Sequence, residues 1–161
     1  GRGTRVEDAR GRTMTSEHTH LTAGLDNTSQ VHCNQFMSDK NPERYVGGQL
    51  IIFGGIPFVL CLGLASPDVG GSALGDIAYH AGRHTAPLFA GDTVFAASEI
   101  HGLHEYPGRE DLGVVKTRLL GHKFVRDDDA EAAGDAPSGW KKVQIFELER
   151  DIAVKRRSHY A

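Results

Sequence analysis

Leu50-Ile51-Ile52-Phe53-Gly54-Gly55-Ile56-Pro57-Phe58-Val59-Leu60-Cys61-Leu62-Gly63-Leu64-Ala65 decides the fold of this chain. The run carries no charge, yet it falls short of the roughly 20 apolar residues that a bilayer span needs. It also holds three glycines and a proline and lacks basic flanks. A helix apolar on every side must be buried, and here a protein core is the expected place. The run predicts a helix starting near Gly47 or Gly48, kinked or divided after Gly55 by Pro57 and stopped before Pro67. Burying about eight large side chains at roughly 1.5–3 kcal/mol each would make it the largest contributor to the core.

Before this run the pattern is helical and short. Thr15 or Ser16 can cap a helix that carries His18, Leu21 and Leu25 on helical spacing, and Asn27-Thr28-Ser29 ends it. His32 to Ser38 reads as a second short helix or turn, and Asp39-Lys40-Asn41-Pro42 as a loop. After the run the pattern is extended. Strands are expected over Ala73 to Arg83, Asp92 to His104, Asp111 to Phe124 and Lys142 to Arg156. In the last, Phe146, Leu148, Ile152 and Val154 share a face that Arg150 interrupts. The acidic, small-residue stretch 127–139 is expected to be a flexible loop. The sum is α+β: one buried helix wrapped by one curved antiparallel sheet. A sheet this size with one covering helix calls for a second subunit, so a homodimer or higher homo-oligomer is expected.

The 161 residues suit one domain, 1–161, with one core. Net charge is −3 with both signs interspersed, so neither nucleic acid nor a membrane is expected as a partner. Lys155-Arg156-Arg157 reads as a solvated strand end. Two cysteines, Cys33 and Cys61, form no disulfide framework, and no apolar segment follows Gly1-Arg2-Gly3-Thr4-Arg5; a cytoplasmic setting without a leader is the expectation. No metal site is expected, because His18 and His20 are two apart and do not share a helix face.

The chemistry concentrates in Leu25-Asp26-Asn27-Thr28-Ser29-Gln30-Val31-His32. An acidic or amide residue lies five to six positions before an imidazole, and Gly47-Gly48 follows just ahead of the apolar run. A carboxylate, an imidazole and the backbone N–H groups of a buried helix are what addition or removal of water across an activated double bond requires.

These residues resemble the MaoC-like dehydratase family of hotdog folds, and within it the mesaconyl-CoA (2-methylfumaryl-CoA) hydratase branch. The resemblance rests on Arg12-Thr13-Met14-Thr15, Asp26 to His32, Val46-Gly47-Gly48-Gln49, and Ala86-Pro87-Leu88-Phe89-Ala90-Gly91-Asp92-Thr93, taken in this order. It implies a hotdog dimer that receives an acyl-CoA thioester at the subunit interface, with no cofactor beyond the CoA of the substrate. The family's hydratases carry Asp-x-Asn-Pro-x-His; His32 matches the histidine and Gly48 the helix-start glycine whose N–H polarises the thioester oxygen. The match departs at two places. Five residues before His32 stands Asn27, with Asp26 one step earlier, and Ser29-Gln30 replaces Asn-Pro. Either Asp26 enters the site by a one-residue shift, or Asn27 holds the water without accepting its proton.

The expected catalytic set is therefore His32, Asp26, Asn27 and Gly48, with Gly47, Ser29 and Arg83 on the substrate. Arg83 would meet a CoA phosphate or a substrate carboxylate. The expected activity is reversible hydration of a short-chain 2-enoyl-CoA, branched and dicarboxylic acyl groups included. Two competitors stand beside it: a hotdog acyl-CoA thioesterase, and a non-catalytic protein that binds acyl-CoA or an acyl carrier.

Overall fold

A computed structural model of the chain describes residues 3–7, 10–24, 29–46 and 48–160, leaving aside the side chains of 20 and 22–24. In chain order the elements are β1 (Thr4–Glu7), β2 (Arg12–Thr13), α1 (Ser16–Gly24), α2 (Gln30–Cys33), α3 (Gln35–Lys40), α4 (Gly55–Ala65), β3 (Ala73–His84), β4 (Thr93–Tyr106), β5 (Arg109–Arg126) and β6 (Trp140–Lys155). All strand pairs are antiparallel, in the order β1-β4-β5-β6-β3, with β2 also on β4. The four long strands match their expected positions. β1 and β2 were not anticipated: both are short, exposed ribbons with no apolar alternation to mark them.

The helix is α4, and it packs on β4 and β5. Its buried side, Ile56, Cys61 and Ala65, meets Val94, Ala96, Leu119 and Phe146. Helix and sheet approach so closely at Gly121 that a Cβ there would lie 2.6 Å from Cys61 Sγ. Burial in this contact pushes the Cys61 thiol up to about 12, so it stays protonated as a small apolar group.

The start of the helix differs from expectation. Val46 and Gly48 both take left-handed backbone, φ 53° and 77°, which ends any helical path there. Residues 50–53 then run as irregular chain, held by Ile51 N–H to Val31 O (2.9 Å) and Ile52 N–H to Leu88 O (2.8 Å). The segment is apolar because it is a buried bridge; Ile52 is 2% exposed. The helix begins only at Gly55, which makes Pro57 its third residue. Proline in a first turn removes an N–H that had no intrahelical acceptor, so the expected mid-helix kink is replaced by a helix start.

Arg150, which breaks the apolar face of β6, is buried. Its guanidinium pairs with Asp76 on β3 (Nη1 to Oδ1, 3.2 Å) and donates to Val69 O (3.4 Å). The 127–139 connection folds back through Asp127 N–H to Gly139 O (3.1 Å) and an Ala133–Ala136 bridge, with Lys142 on Asp135 (2.7 Å). Among the described residues no helix is long and apolar enough to cross a membrane.

Candidate active site

α2 is a single turn whose first carbonyl, Ser29 O, accepts His32 N–H (3.1 Å) and the Cys33 thiol (3.2 Å). Asn34 closes α2 and opens α3 by accepting Met37 N–H on its side chain (3.0 Å), the role expected of asparagine at a helix N-cap. This places His32 against the irregular chain that leads into α4. Its Nδ1 lies 2.7 Å from Ile51 O. A carbonyl oxygen can only accept, so Nδ1 carries a proton, and in the neutral ring Nε2 holds the lone pair. The Phe53 ring meets the imidazole edge-on at 5.8 Å, fixing its plane.

The chain beyond Phe53 supplies the donors. Ile56 N–H turns back to Phe53 O (2.9 Å) and Pro57 has no N–H, so among the described residues Gly54 and Gly55 are left as the open N–H groups at the start of α4. The partial positive charge of a helix N-terminus adds to them.

His32 and this helix start line one cavity of about 870 Å³. The rest of the wall is mostly apolar: Ile51, Ile52, Phe58, Leu88, Ile145 and Phe146 belong to it. A second imidazole, His84 at the end of β3, stands in the same wall against the Phe146 ring (5.3 Å). Burial holds its pKa below the ordinary histidine value. No carboxylate lines the cavity among the described residues. Ala86 to Thr93 acts as a structural turn beside it: Asp92 accepts Phe89 N–H (2.9 Å) and pairs with buried Lys123 (2.6 Å), and Gly91 takes φ 95°. That turn presents Pro87 and Leu88 to the cavity.

The residues expected from sequence fare differently. His32 lines the cavity. Gly48 does not: it precedes the helix by a whole irregular segment, and its carbonyl accepts from Gln35 Nε2 (2.8 Å). The helix-start position assigned to Gly48 is held by Gly54 and Gly55 instead. Ser29 is exposed and outside the cavity wall. Arg83 extends from β3 away from the cavity wall, 71% exposed, with Nε on Glu147 Oε1 (2.5 Å). Glu147 also holds Arg118, and these guanidinium groups keep its carboxyl below the usual range. Asp26, Asn27 and Gly47 lie outside the described residues. Sequence reasoning did not place Gly54, Gly55 or His84 in the cavity wall; the Gly-Gly-x-Pro step was the available signal for the first two.

A tight group outside this cavity is Glu7, His122 and Asp135, whose ligand-type atoms lie within 4.8 Å of one another. Lys142 Nζ already balances its carboxylates, 2.7 Å from Asp135 and 3.4 Å from Glu7.

A short helix held in a six-stranded antiparallel sheet of this order is a hotdog fold, and solved structures agree. A Chloroflexus aurantiacus J-10-fl protein assigned to the MaoC domain dehydratases superposes with TM-score 0.79 and 28% identity, over 98% of this chain and 43% of that one. The MaoC-like dehydratase of Rhodospirillum rubrum gives TM-score 0.70 at 15% identity, over 98% and 94% of the two chains. No family model matches the chain. In sequence, the β-methylmalyl-CoA dehydratase of Chloroflexus aurantiacus is 34% identical over 142 residues, 88% of this chain. The chain spans 39% of the length of that curated relative. It belongs to the MaoC-like dehydratase family.

Proposed function

We propose that this chain is a hydro-lyase unit that reversibly hydrates a short-chain 2-enoyl-CoA, branched and dicarboxylic acyl groups included, in the manner of a mesaconyl-CoA hydratase. The observation that carries the reading is the His32 imidazole, its Nδ1 proton committed to Ile51 O, in one cavity with the open N–H groups of α4. In the hydration direction, His32 Nε2 takes a proton from water as the oxygen attacks the β-carbon. The thioester oxygen gains charge as an enolate and is held at Gly54 and Gly55 N–H, and the proton is then delivered to the α-carbon. A placed acid–base group contributes about 10²–10⁴-fold in rate, and each oxyanion donor roughly 10²–10³-fold. The apolar wall strengthens both by excluding water. Asp26 as a second base, or Asn27 as a holder of the water, completes the set. The relative's name supports a methyl-branched dicarboxylic acyl group. No cofactor is needed beyond the CoA that the substrate carries.

A homodimer is part of the reading. Among the described residues β3 has a partner on one side only, and ten of its twelve residues are exposed, Leu74 (63%), Ile77 (45%) and Tyr79 (50%) among them. Val59 on α4 is 55% exposed as well. A long, apolar sheet edge of this kind calls for a cover.

The test is incubation with mesaconyl-CoA and with crotonyl-CoA while following enoyl absorbance and free thiol. Loss of absorbance without thiol is the expected result. Thiol release would make the protein a thioesterase, a reading that the cavity's lack of a described carboxylate disfavours. Binding without either change would make it a passive acyl-CoA carrier.

A further inference from the structure

His84 has no role in the chemistry assigned so far, yet its place is unusual. A Cβ built on Gly54 would collide with the tip of the His84 ring, and Nε2 is the ring atom it would meet first. The tip of the imidazole therefore rests on the backbone that opens α4. Phe146 packs on the ring. Among the described residues neither ring nitrogen has a hydrogen-bond partner in the protein, whereas His18, His32, His80, His101 and His159 each have one. The other polar side chains of the cavity wall are committed: His32 Nδ1 to Ile51 O, and Thr85 Oγ1 to Gln144 O (2.7 Å). An uncommitted imidazole that rests on Gly54, whose N–H and that of Gly55 are open among the described residues, is placed to serve the same acceptor as they do.

We propose that His84 is a second hydrogen-bond donor to the substrate's thioester oxygen, acting through Nε2–H beside the N–H groups of Gly54 and Gly55. The inference rests on the hydratase reading and adds a catalytic residue to it. A neutral imidazole suits this role, because its N–H shares charge with an enolate without surrendering a proton to it. Partial burial favours that neutral form. No carboxylate in the described wall is present to draw the ring into general-base work. Division of labour follows, with His32 moving protons and His84 holding charge.

Two variants test this, His84→Phe, which fills the ring's space without a donor, and His84→Gln, which restores one. With both crotonyl-CoA and mesaconyl-CoA, kcat/KM for His84→Phe is expected to fall roughly 10²–10³-fold, and His84→Gln to recover most of the loss. Unchanged rates would overturn the proposal. So would a loss confined to mesaconyl-CoA, which would put His84 on the acyl carboxylate instead. A binding comparison keeps the question separate from catalysis: crotonyl-CoA against its thioether analogue, which lacks the carbonyl oxygen. Wild-type protein should favour the thioester, and His84→Phe should lose that preference. If wild-type protein hydrates neither substrate, the hydratase reading fails; the binding preference still decides for or against His84.

Discussion

His32 Nδ1 and Ile51 O lie 2.7 Å apart, and this contact joins α2 to the chain that feeds the helix. Ile51 N–H returns to Val31 O at 2.9 Å, so the two segments are tied in both directions. The imidazole is thereby oriented by backbone, with Nε2 free among the described residues. Replacing His32 with Ala should lower kcat on a 2-enoyl-CoA by about 10²–10⁴-fold while CoA-thioester affinity changes little. Retained turnover, measured by enoyl absorbance, would remove His32 from the mechanism.

Gly54 supports a sharper expectation. A methyl group there would occupy the space of the His84 ring tip, so Gly54→Ala must displace that ring or the helix start. His84 is a strand-end side chain in a cavity wall and can swing away, which confines the damage to the site. Turnover should drop by more than about tenfold with a thermal midpoint close to wild type. A large loss of stability with proportionate loss of activity would mean that the backbone, not the ring, gives way.

Gly121 meets α4 at Cys61 and tests the packing of helix on sheet. Gly121→Ala brings a methyl to 2.6 Å from Cys61 Sγ inside the core and should cost about 1–3 kcal/mol of stability. Cys61→Ala in the same chain clears that space and should recover part of the loss. Denaturant titration of the four proteins of this cycle measures the coupling; additive effects would show that the two positions do not collide.

The four long strands were legible and the helix start was not, for one physical reason. A period of two over Asp92 to His104 has no other reading, whereas an apolar run such as residues 50–65 is compatible with helix or with buried extended chain. What divided it was backbone conformation at Val46 and Gly48, and two hydrogen bonds from Ile51 and Ile52 to distant carbonyls. His32 could be singled out because its neighbours in sequence carry part of its chemistry. His84 could not, because its significance comes from contact with Gly54, thirty residues back, across the sheet and helix. Arg83 illustrates the reverse case. It reads as an anion binder in sequence, and its cross-strand neighbour Glu147 takes up the charge.

Acid sensitivity should centre on His122. The residue is 4% exposed, its ring stacked on Phe95 (5.7 Å) and edge-on to Phe124 (5.6 Å), and Nδ1 has no partner among the described residues. Burial, then the nearby Lys142 charge, lowers its pKa to about 4, against about 6.5 in the unfolded chain. Above about pH 6.5 both states are neutral here and stability is unaffected. Between about 6.5 and 4 the unfolded chain binds the proton first, so stability falls as pH falls, by up to about 3 kcal/mol. Urea midpoints should therefore decline on mild acidification for wild type and decline less for His122→Phe. Parallel declines would place the acid-sensitive group elsewhere.

The exposed edge of β3 makes the last expectation. Leu74 and Ile77 lie on a strand that pairs, among the described residues, only with β6, and both are well exposed, so a second copy of the chain would bury them. Leu74→Lys with Ile77→Lys puts two charges into that contact, where unpaired burial is strongly unfavourable. Neither side chain belongs to the buried core of the single chain, so the fold itself should survive. Sedimentation velocity should show a dimer for wild type and a monomer for the double variant, with unchanged far-UV dichroism. Because the cavity wall includes His84 from the same strand, hydratase activity should fall with the dimer. A variant that remains dimeric would move the contact to another face, and a monomeric variant with full activity would show that one chain builds the whole site.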